Sequence, residues 1–169
     1  MKKILLCLAL IAIATLLVAQ RKGSILQPQM KVEHGSYASP MGTLGEKPAD
    51  AWTATTVAAG VDKKPLPGKP VTRTGEILDL SCYLQLGKHG EPHRACGTKC
   101  LQAGEPIGLL AEDGSVYMLM AEEHDPRRDG QTTFRQAAID HFAHIMEVTG
   151  TESTVNGYHA IYVQGYVKK

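Results

Sequence analysis

Three cysteines and one histidine between residues 82 and 100 are the side chains in this sequence best suited to chemistry. Cys82, His93, Cys96 and Cys100 follow the pattern Cys-x10-His-x2-Cys-x3-Cys. Three thiolates and one imidazole can complete a tetrahedral zinc site, and soft sulfur ligands also suit copper. We therefore predict that these four residues bind a zinc or copper ion, in a structural or a metal-handling role.

The spacing of these residues is compatible with a shared site. Cys96 and Cys100 are four residues apart, so one helical turn would place them on the same face, and His93 lies three residues before Cys96. Cys82 follows a predicted strand and would close the site from the domain. His89 is an alternative fourth ligand, but His93 is preferred because it is nearer to Cys96.

A disulfide is the main alternative for the same cysteines. Cys82 could pair with Cys96 or Cys100 and leave one thiol over, and disulfides are the usual state of cysteines in exported proteins. The domain would then be a stapled module that binds a protein or a glycan of the cell envelope. Thiol redox chemistry by Cys96 and Cys100 is a third interpretation, although their spacing differs from that of thioredoxin.

Other chemistries lack the motifs they need. The chain contains no Cys-x2-Cys-His motif for covalent haem, and no His or Met follows Cys100 at the spacing of a binuclear copper centre. It has no Ser-His-Asp arrangement, paired-carboxylate signature, phosphate-binding glycine loop or metalloprotease helix. We therefore expect a binding protein and not an enzyme. His141 and His144 are expected to be ordinary helix residues.

The first 19 residues have the pattern of a targeting segment. Lys2 and Lys3 precede an apolar run at residues 4–19, which predicts a signal peptide cleaved after Ala19 or an uncleaved N-terminal membrane anchor. Either would place the rest of the chain outside the cytoplasm, in the periplasm or beyond. Removal of this segment also removes Cys7, so the number of cysteines falls from four to an odd three.

The charge balance argues against a nucleic-acid partner. Loss of the leader lowers the basic residues from 18 to 16 against 17 acidic ones, so the net charge changes from +1 to −1. Proteins that coat nucleic acids are usually strongly basic. The partners we expect are a metal ion and a protein of the envelope or of a respiratory complex.

Residues 20–70 are rich in glycine, proline, serine, threonine and lysine and have no sustained apolar period. Such a segment has little apolar surface to offset the entropy lost on ordering, so we predict a flexible tether. Trp52 is the exception in this segment and is expected to pack locally against the domain.

The remaining residues, 71–169, predict one compact domain. Asp113-Gly114 and Asn156-Gly157 lie between apolar runs and are typical of hairpin turns. The predicted elements are strands at 71–80, 106–111 and 116–120, a helix at 131–146, and two strands between 146 and 167. The order β-β-β-α-β-β predicts an all-β fold with one helix, a five-stranded OB-like barrel with the Cys/His segment 82–100 inserted after the first strand.

Several short runs also resemble a known group of proteins. They are Gly75-Glu76-Ile77-Leu78-Asp79-Leu80-Ser81-Cys82-Tyr83-Leu84, His93-Arg94-Ala95-Cys96 with Cys100, and Gly104-Glu105-Pro106-Ile107-Gly108-Leu109-Leu110. Together they resemble small exported bacterial proteins with an OB-like domain and the same Cys/His insert. The resemblance covers about residues 71–165. It implies export and the barrel, and it implies no particular activity.

Overall fold

Five strands close into a mixed β-barrel in the computed structural model, which describes residues 34–122 and 133–166. A short strand, β1 (Thr43–Leu44), precedes the five barrel strands, which are β2 (Lys69–Asp79), β3 (Ile107–Ala111), β4 (Val116–Ala121), β5 (Ile145–Val155) and β6 (Tyr158–Val163). Around the barrel the order is β2-β3-β4-β6-β5, and the pairing of β5 with β2 closes the barrel. The β4–β6 pair is parallel and the others are antiparallel, while the short β1 adds to β5 in parallel. This arrangement is consistent with an OB-like barrel and confirms the predicted five strands.

The prediction of a single helix is wrong, because the described chain contains four. They are α1 (Ala54–Ala59), α2 (Leu80–Leu86), α3 (Arg94–Gln102) and α4 (Thr133–Asp140), with 3₁₀ turns at Val61–Lys63 and Glu91–His93. Helices α1 to α3 are short and carry no long apolar period. Their stability comes from capping side chains and tertiary packing, which a search for periodicity does not detect.

Close backbone approach lets the two longest strands change partners. Strand β5 pairs with β2 along its first part and with β6 along its last part. A Cβ atom at Gly150 would lie 2.4 Å from the carbonyl oxygen of Tyr162, and one at Gly75 would lie 2.6 Å from that of Leu110. Residues without a side chain therefore occupy the points where the barrel bends and closes.

The predicted boundaries of two elements change because of tertiary contacts. The first barrel strand ends at Asp79, so Leu80 belongs to α2. The helix predicted at 131–146 ends at Asp140, and β5 already begins at Ile145. Ala143 has a φ of 63°, and its amide donates to the carbonyl of Ile77, so the chain turns back onto β2. Residues 131 and 132 lie outside the described chain.

Residues 34–70, which composition assigns to a tether, make contacts with the barrel. Strand β1 pairs with β5, and the amide of Met41 donates to the carbonyl of Ile145. The Trp52 ring packs edge-on against Tyr162 at 5.2 Å, in agreement with the expected local packing. Some of these contacts use backbone atoms, which leave no trace in composition. The predicted leader and residues 20–33 lie outside the described chain.

None of the helices in the described ranges is long and apolar enough to cross a membrane. The residues described here belong to one compact unit.

Two buried residues of α3, one small and one large, determine how the helix packs against the core. Leu101 is fully buried, and Gly97, one turn earlier on the same face, is also buried. A Cβ atom at Gly97 would lie 2.0 Å from Cζ of Phe142, whose ring is itself fully buried. The absence of a side chain therefore sets how closely α3 approaches the barrel.

Replacement of Gly97 by alanine should destabilise the domain by about 1–3 kcal/mol, because the methyl group must displace the Phe142 ring from a packed core. The measurement is the free energy of unfolding from urea titration. Lys99→Ala is the matched control, since Lys99 is exposed on the same helix and its replacement should change stability by less than about 0.5 kcal/mol. Equal stabilities of the two variants would contradict this description of the contact.

Candidate metal centre

The carboxylate of Asp79 stands where β2 ends and α2 begins. Its Oδ1 accepts hydrogen bonds from the amides of Ser81 at 3.0 Å and Cys82 at 3.2 Å. Aspartate is a favoured residue at this capping position because it satisfies amides that the helix leaves unpaired. Asp79 is fully buried, and its second oxygen, Oδ2, accepts no hydrogen bond from a nitrogen or oxygen donor within the described chain.

Two thiols converge on this carboxylate. Cys82 lies in the first turn of α2 and Cys100 near the end of α3, and both are half-buried. One ligand atom each from Asp79, Cys82 and Cys100 lies within 4.8 Å of the others. These three residues could therefore hold a metal ion.

Backbone hydrogen bonds hold the two helices in place beside each other. The amide of Leu80 donates to the carbonyl of Pro106, and the amide of Glu105 donates to the carbonyl of Cys100. Arg135 of α4 donates to the carbonyls of Leu101 and Glu105 and so satisfies the end of α3. The start of α2 and the end of α3 are thus both hydrogen-bonded to Glu105 and Pro106, the residues just before β3.

The structure brings together two of the four predicted ligands and leaves the other two outside the group. Cys96 is exposed one turn before Cys100 and is near enough that its charge raises the pKa of both other thiols. His93 is buried, with its ring 5.9 Å from that of Phe142 and its Nε2 without a partner in the described chain. The alternative ligand His89 instead bonds through Nδ1 to Oε2 of Glu76 at 3.0 Å.

The ligand that sequence reasoning missed is Asp79. An aspartate directly before Leu-Ser-Cys, at the end of an apolar strand, is a signal for the start of a helix. That signal would have placed its carboxylate next to the amide of Cys82. The second oxygen could then have been counted as a ligand.

The local electrostatics keep both thiols protonated near neutral pH. The pKa of Cys82 is raised chiefly by its hydrogen bond to Asp79 and further by burial. Burial first, and then the hydrogen bond to Asp79, raise the pKa of Cys100 to about 11. A bound cation would reverse this preference and release protons, so metal binding at this site strengthens as pH rises. Cys82, Cys96 and Cys100 are all free thiols in the structure.

A second cluster of titratable groups lies beside α3 and surrounds His144. Arg94 reaches Nε2 of His144, Nδ1 of His141 lies 3.3 Å from Nδ1 of His144, and the ring of His34 is 5.5 Å away. Glu91 forms ion pairs with Arg94 and with His34. Burial, then the charge of Arg94, lowers the pKa of His144 to about 4. Nε2 of His144 thus accepts a hydrogen bond from Arg94 and is engaged within the protein.

Comparison of this chain with protein-family models, with characterised proteins and with solved structures gives no match. The interpretation of the centre therefore depends on its own residues.

Replacement of Asp79 by asparagine should lower the pKa of both thiols, because it removes the negative charge while keeping an oxygen that can cap α2. In metal-free protein at pH 8, alkylation of Cys82 and Cys100 by iodoacetamide should become about three- to tenfold faster. Mass spectrometry of the modified peptides measures both rates. Asp50→Asn, at an exposed carboxylate, is the control and should leave them unchanged.

The stability of the metal-free domain should decrease as the pH falls below about 6.5. In the unfolded chain His144 binds a proton near its ordinary pKa of 6.5, whereas in the folded chain it does so only near 4. Protons therefore favour the unfolded state between these values, and the loss should reach about 3 kcal/mol at pH 4. His144→Gln should flatten this part of the curve of unfolding free energy against pH, whereas His159→Gln should not. Parallel curves for His144→Gln and the unmodified protein would refute the assignment.

Proposed function

We propose that this protein binds a metal ion through Asp79, Cys82 and Cys100 and handles that metal outside the cytoplasm. The observation that carries the proposal is the fully buried carboxylate of Asp79, which has one oxygen without a nitrogen or oxygen donor and a ligand oxygen within 4.8 Å of the sulfurs of Cys82 and Cys100. A buried charge is costly unless a partner offsets it. A divalent cation would offset the charge of Asp79 and convert the thiols into ligands.

The donor set favours zinc. Zinc accepts both thiolate sulfur and carboxylate oxygen, whereas monovalent copper prefers sulfur alone. Copper is the second candidate, because Cys96 is electrostatically coupled to Cys82 and Cys100 and could complete a ligand set of three sulfurs.

Three protein ligands leave one position of a tetrahedral ion for an outside group. Structural zinc sites usually use four protein ligands, whereas open sites keep a position for water or another molecule. Cys82 and Cys100 are half-buried, so the centre borders solvent. We infer that the ion exchanges with external ligands and that the role is metal binding and not catalysis. OB-like topology would place this centre in the first connection between barrel strands, one of the binding loops of that fold.

Export follows from the leader predicted at residues 1–19 and belongs to the same proposal. In an oxidising compartment the sulfur atoms of Cys82 and Cys100, which lie within 4.8 Å of each other, could also form a disulfide. This proximity supports a second candidate function, a disulfide-stapled module for a protein or glycan of the envelope. A bound metal would protect the same thiols from oxidation.

Titration of the reduced protein with zinc should show one equivalent bound. Cys82→Ser, Cys100→Ser and Asp79→Asn each remove a ligand and should weaken binding about 10- to 100-fold or more. Cys96→Ser and His93→Gln should stay within about threefold of the unmodified protein, because neither side chain belongs to the ligand group. Competition with a chromophoric chelator measures these affinities.

The same variants, with an analysis of the exported protein, distinguish zinc binding from copper binding and from a disulfide. If monovalent copper is the ligand, Cys96→Ser should weaken copper binding and leave zinc binding unchanged. Protein isolated from the exported fraction should contain metal, and Cys82, Cys96 and Cys100 should all be alkylatable once a chelator has removed it. Metal-free protein with Cys82 and Cys100 joined by a disulfide would reject the metal proposal and support the stapled module.

A further inference from the structure

A cavity of about 550 Å³ lies on a part of the barrel that does not include the metal-centre residues. Strands β4, β5 and β6 form its floor, and the segment before β2 forms its opposite wall. Three aromatic side chains line it, namely Trp52, Tyr158 and Tyr162. Tyr158 is 79% exposed and stands at the rim. The volume falls in the range of pockets that bind small molecules.

A buried carboxylate also lines this cavity. Glu122 is only 4% exposed, and its amide donates to the carbonyl of Val163. Its Oε1 accepts three hydrogen bonds: from the amide of Thr53 at 2.8 Å, the hydroxyl of Thr53 at 2.9 Å and the hydroxyl of Thr56 at 2.7 Å. These donors fix the orientation of the carboxylate.

The second oxygen of this carboxylate, Oε2, is left for a ligand. Within residues 34–122 and 133–166 it accepts no hydrogen bond, and no lysine, arginine or histidine there forms an ion pair with Glu122. The carboxylate thus accepts three hydrogen bonds through Oε1 and none from the described residues through Oε2. A cation in the cavity would give Oε2 a partner.

We propose that this cavity binds a small alkylated ammonium compound. The carboxylate of Glu122 supplies the opposite charge, and the rings of Trp52, Tyr158 and Tyr162 that line the cavity can attract a cation while their apolar surface accepts its alkyl groups. Leu66 and Val155 add apolar surface to the same walls. An alkylated ammonium ion uses both the carboxylate and the apolar aromatic walls. A neutral apolar compound would use only the walls, and the carboxylate would repel an anion.

Trp52 makes the proposal directly measurable, because it is the single tryptophan of the chain. Its Nε1 donates to the carbonyl of Leu66, and its ring lines the cavity, so its fluorescence should report occupation. The probe is choline, titrated into the full chain. Its neutral counterpart of the same shape is 3,3-dimethylbutan-1-ol. We expect choline to bind at least about tenfold more tightly than the alcohol.

Two variants test the two halves of the site. Glu122→Gln removes the charge but retains an oxygen that can accept from Thr53 and Thr56, and it should weaken choline binding about tenfold without affecting the alcohol. Its control is Glu112→Gln, an exposed carboxylate in the turn between β3 and β4, which should leave both affinities unchanged. Tyr158→Leu keeps apolar surface at an exposed position but removes a ring, and should weaken choline binding about threefold.

The outcomes are decisive even if Glu122→Gln unfolds, because Tyr158→Leu and the comparison of choline with its alcohol do not require that variant. Equal affinity for choline and the alcohol would overturn the proposal, as would equal losses in Glu122→Gln and Glu112→Gln. A short peptide with one lysine tests whether the cavity instead binds the cationic side chain of another protein. Tighter binding of that peptide than of choline would overturn the assignment to a small molecule. None of these results depends on metal bound at Asp79.

Discussion

The hydrogen bonds that Asp79 makes through one oxygen are the constraint on which the candidate metal centre depends. They stop β2, start α2 and place Cys82 beside the carboxylate. The same residue is fully buried, and its other oxygen accepts no hydrogen bond from a nitrogen or oxygen donor of the described chain. The centre is therefore a consequence of how a strand is converted into a helix at the edge of the core.

The thiol of Cys100 is positioned by the packing of α3 against the core. Gly97 allows α3 to approach the ring of Phe142, and Leu101 anchors the next turn in the core. With that face of the helix turned inward, Cys100 lies at its border and reaches the carboxylate of Asp79. A mutation that rotated or displaced α3 would move the sulfur of Cys100 away from Asp79 and Cys82, even though these three residues were unchanged.

Both candidate sites of this domain contain a carboxylate that is held through one oxygen. Asp79 is held through Oδ1 at the start of α2, and Glu122 is held through Oε1 by Thr53 and Thr56 at the start of α1. Amides and hydroxyls at the beginning of a short helix satisfy one oxygen of each carboxylate and fix its orientation. One of these carboxylates adjoins two thiols, and the other lines a cavity with aromatic walls.

The sequence by itself determined the succession of the five barrel strands along the chain and the hairpin at Asn156-Gly157, because alternation and turn chemistry are local properties. It also indicated that Cys96 and Cys100 could share one helical turn, although it did not predict the helix that contains them. Only the tertiary structure decided that Asp79 joins the thiols, that His93 packs on Phe142, and that Thr53 meets Glu122 across 69 residues. Such meetings depend on how distant elements pack together, and no short stretch of sequence encodes them.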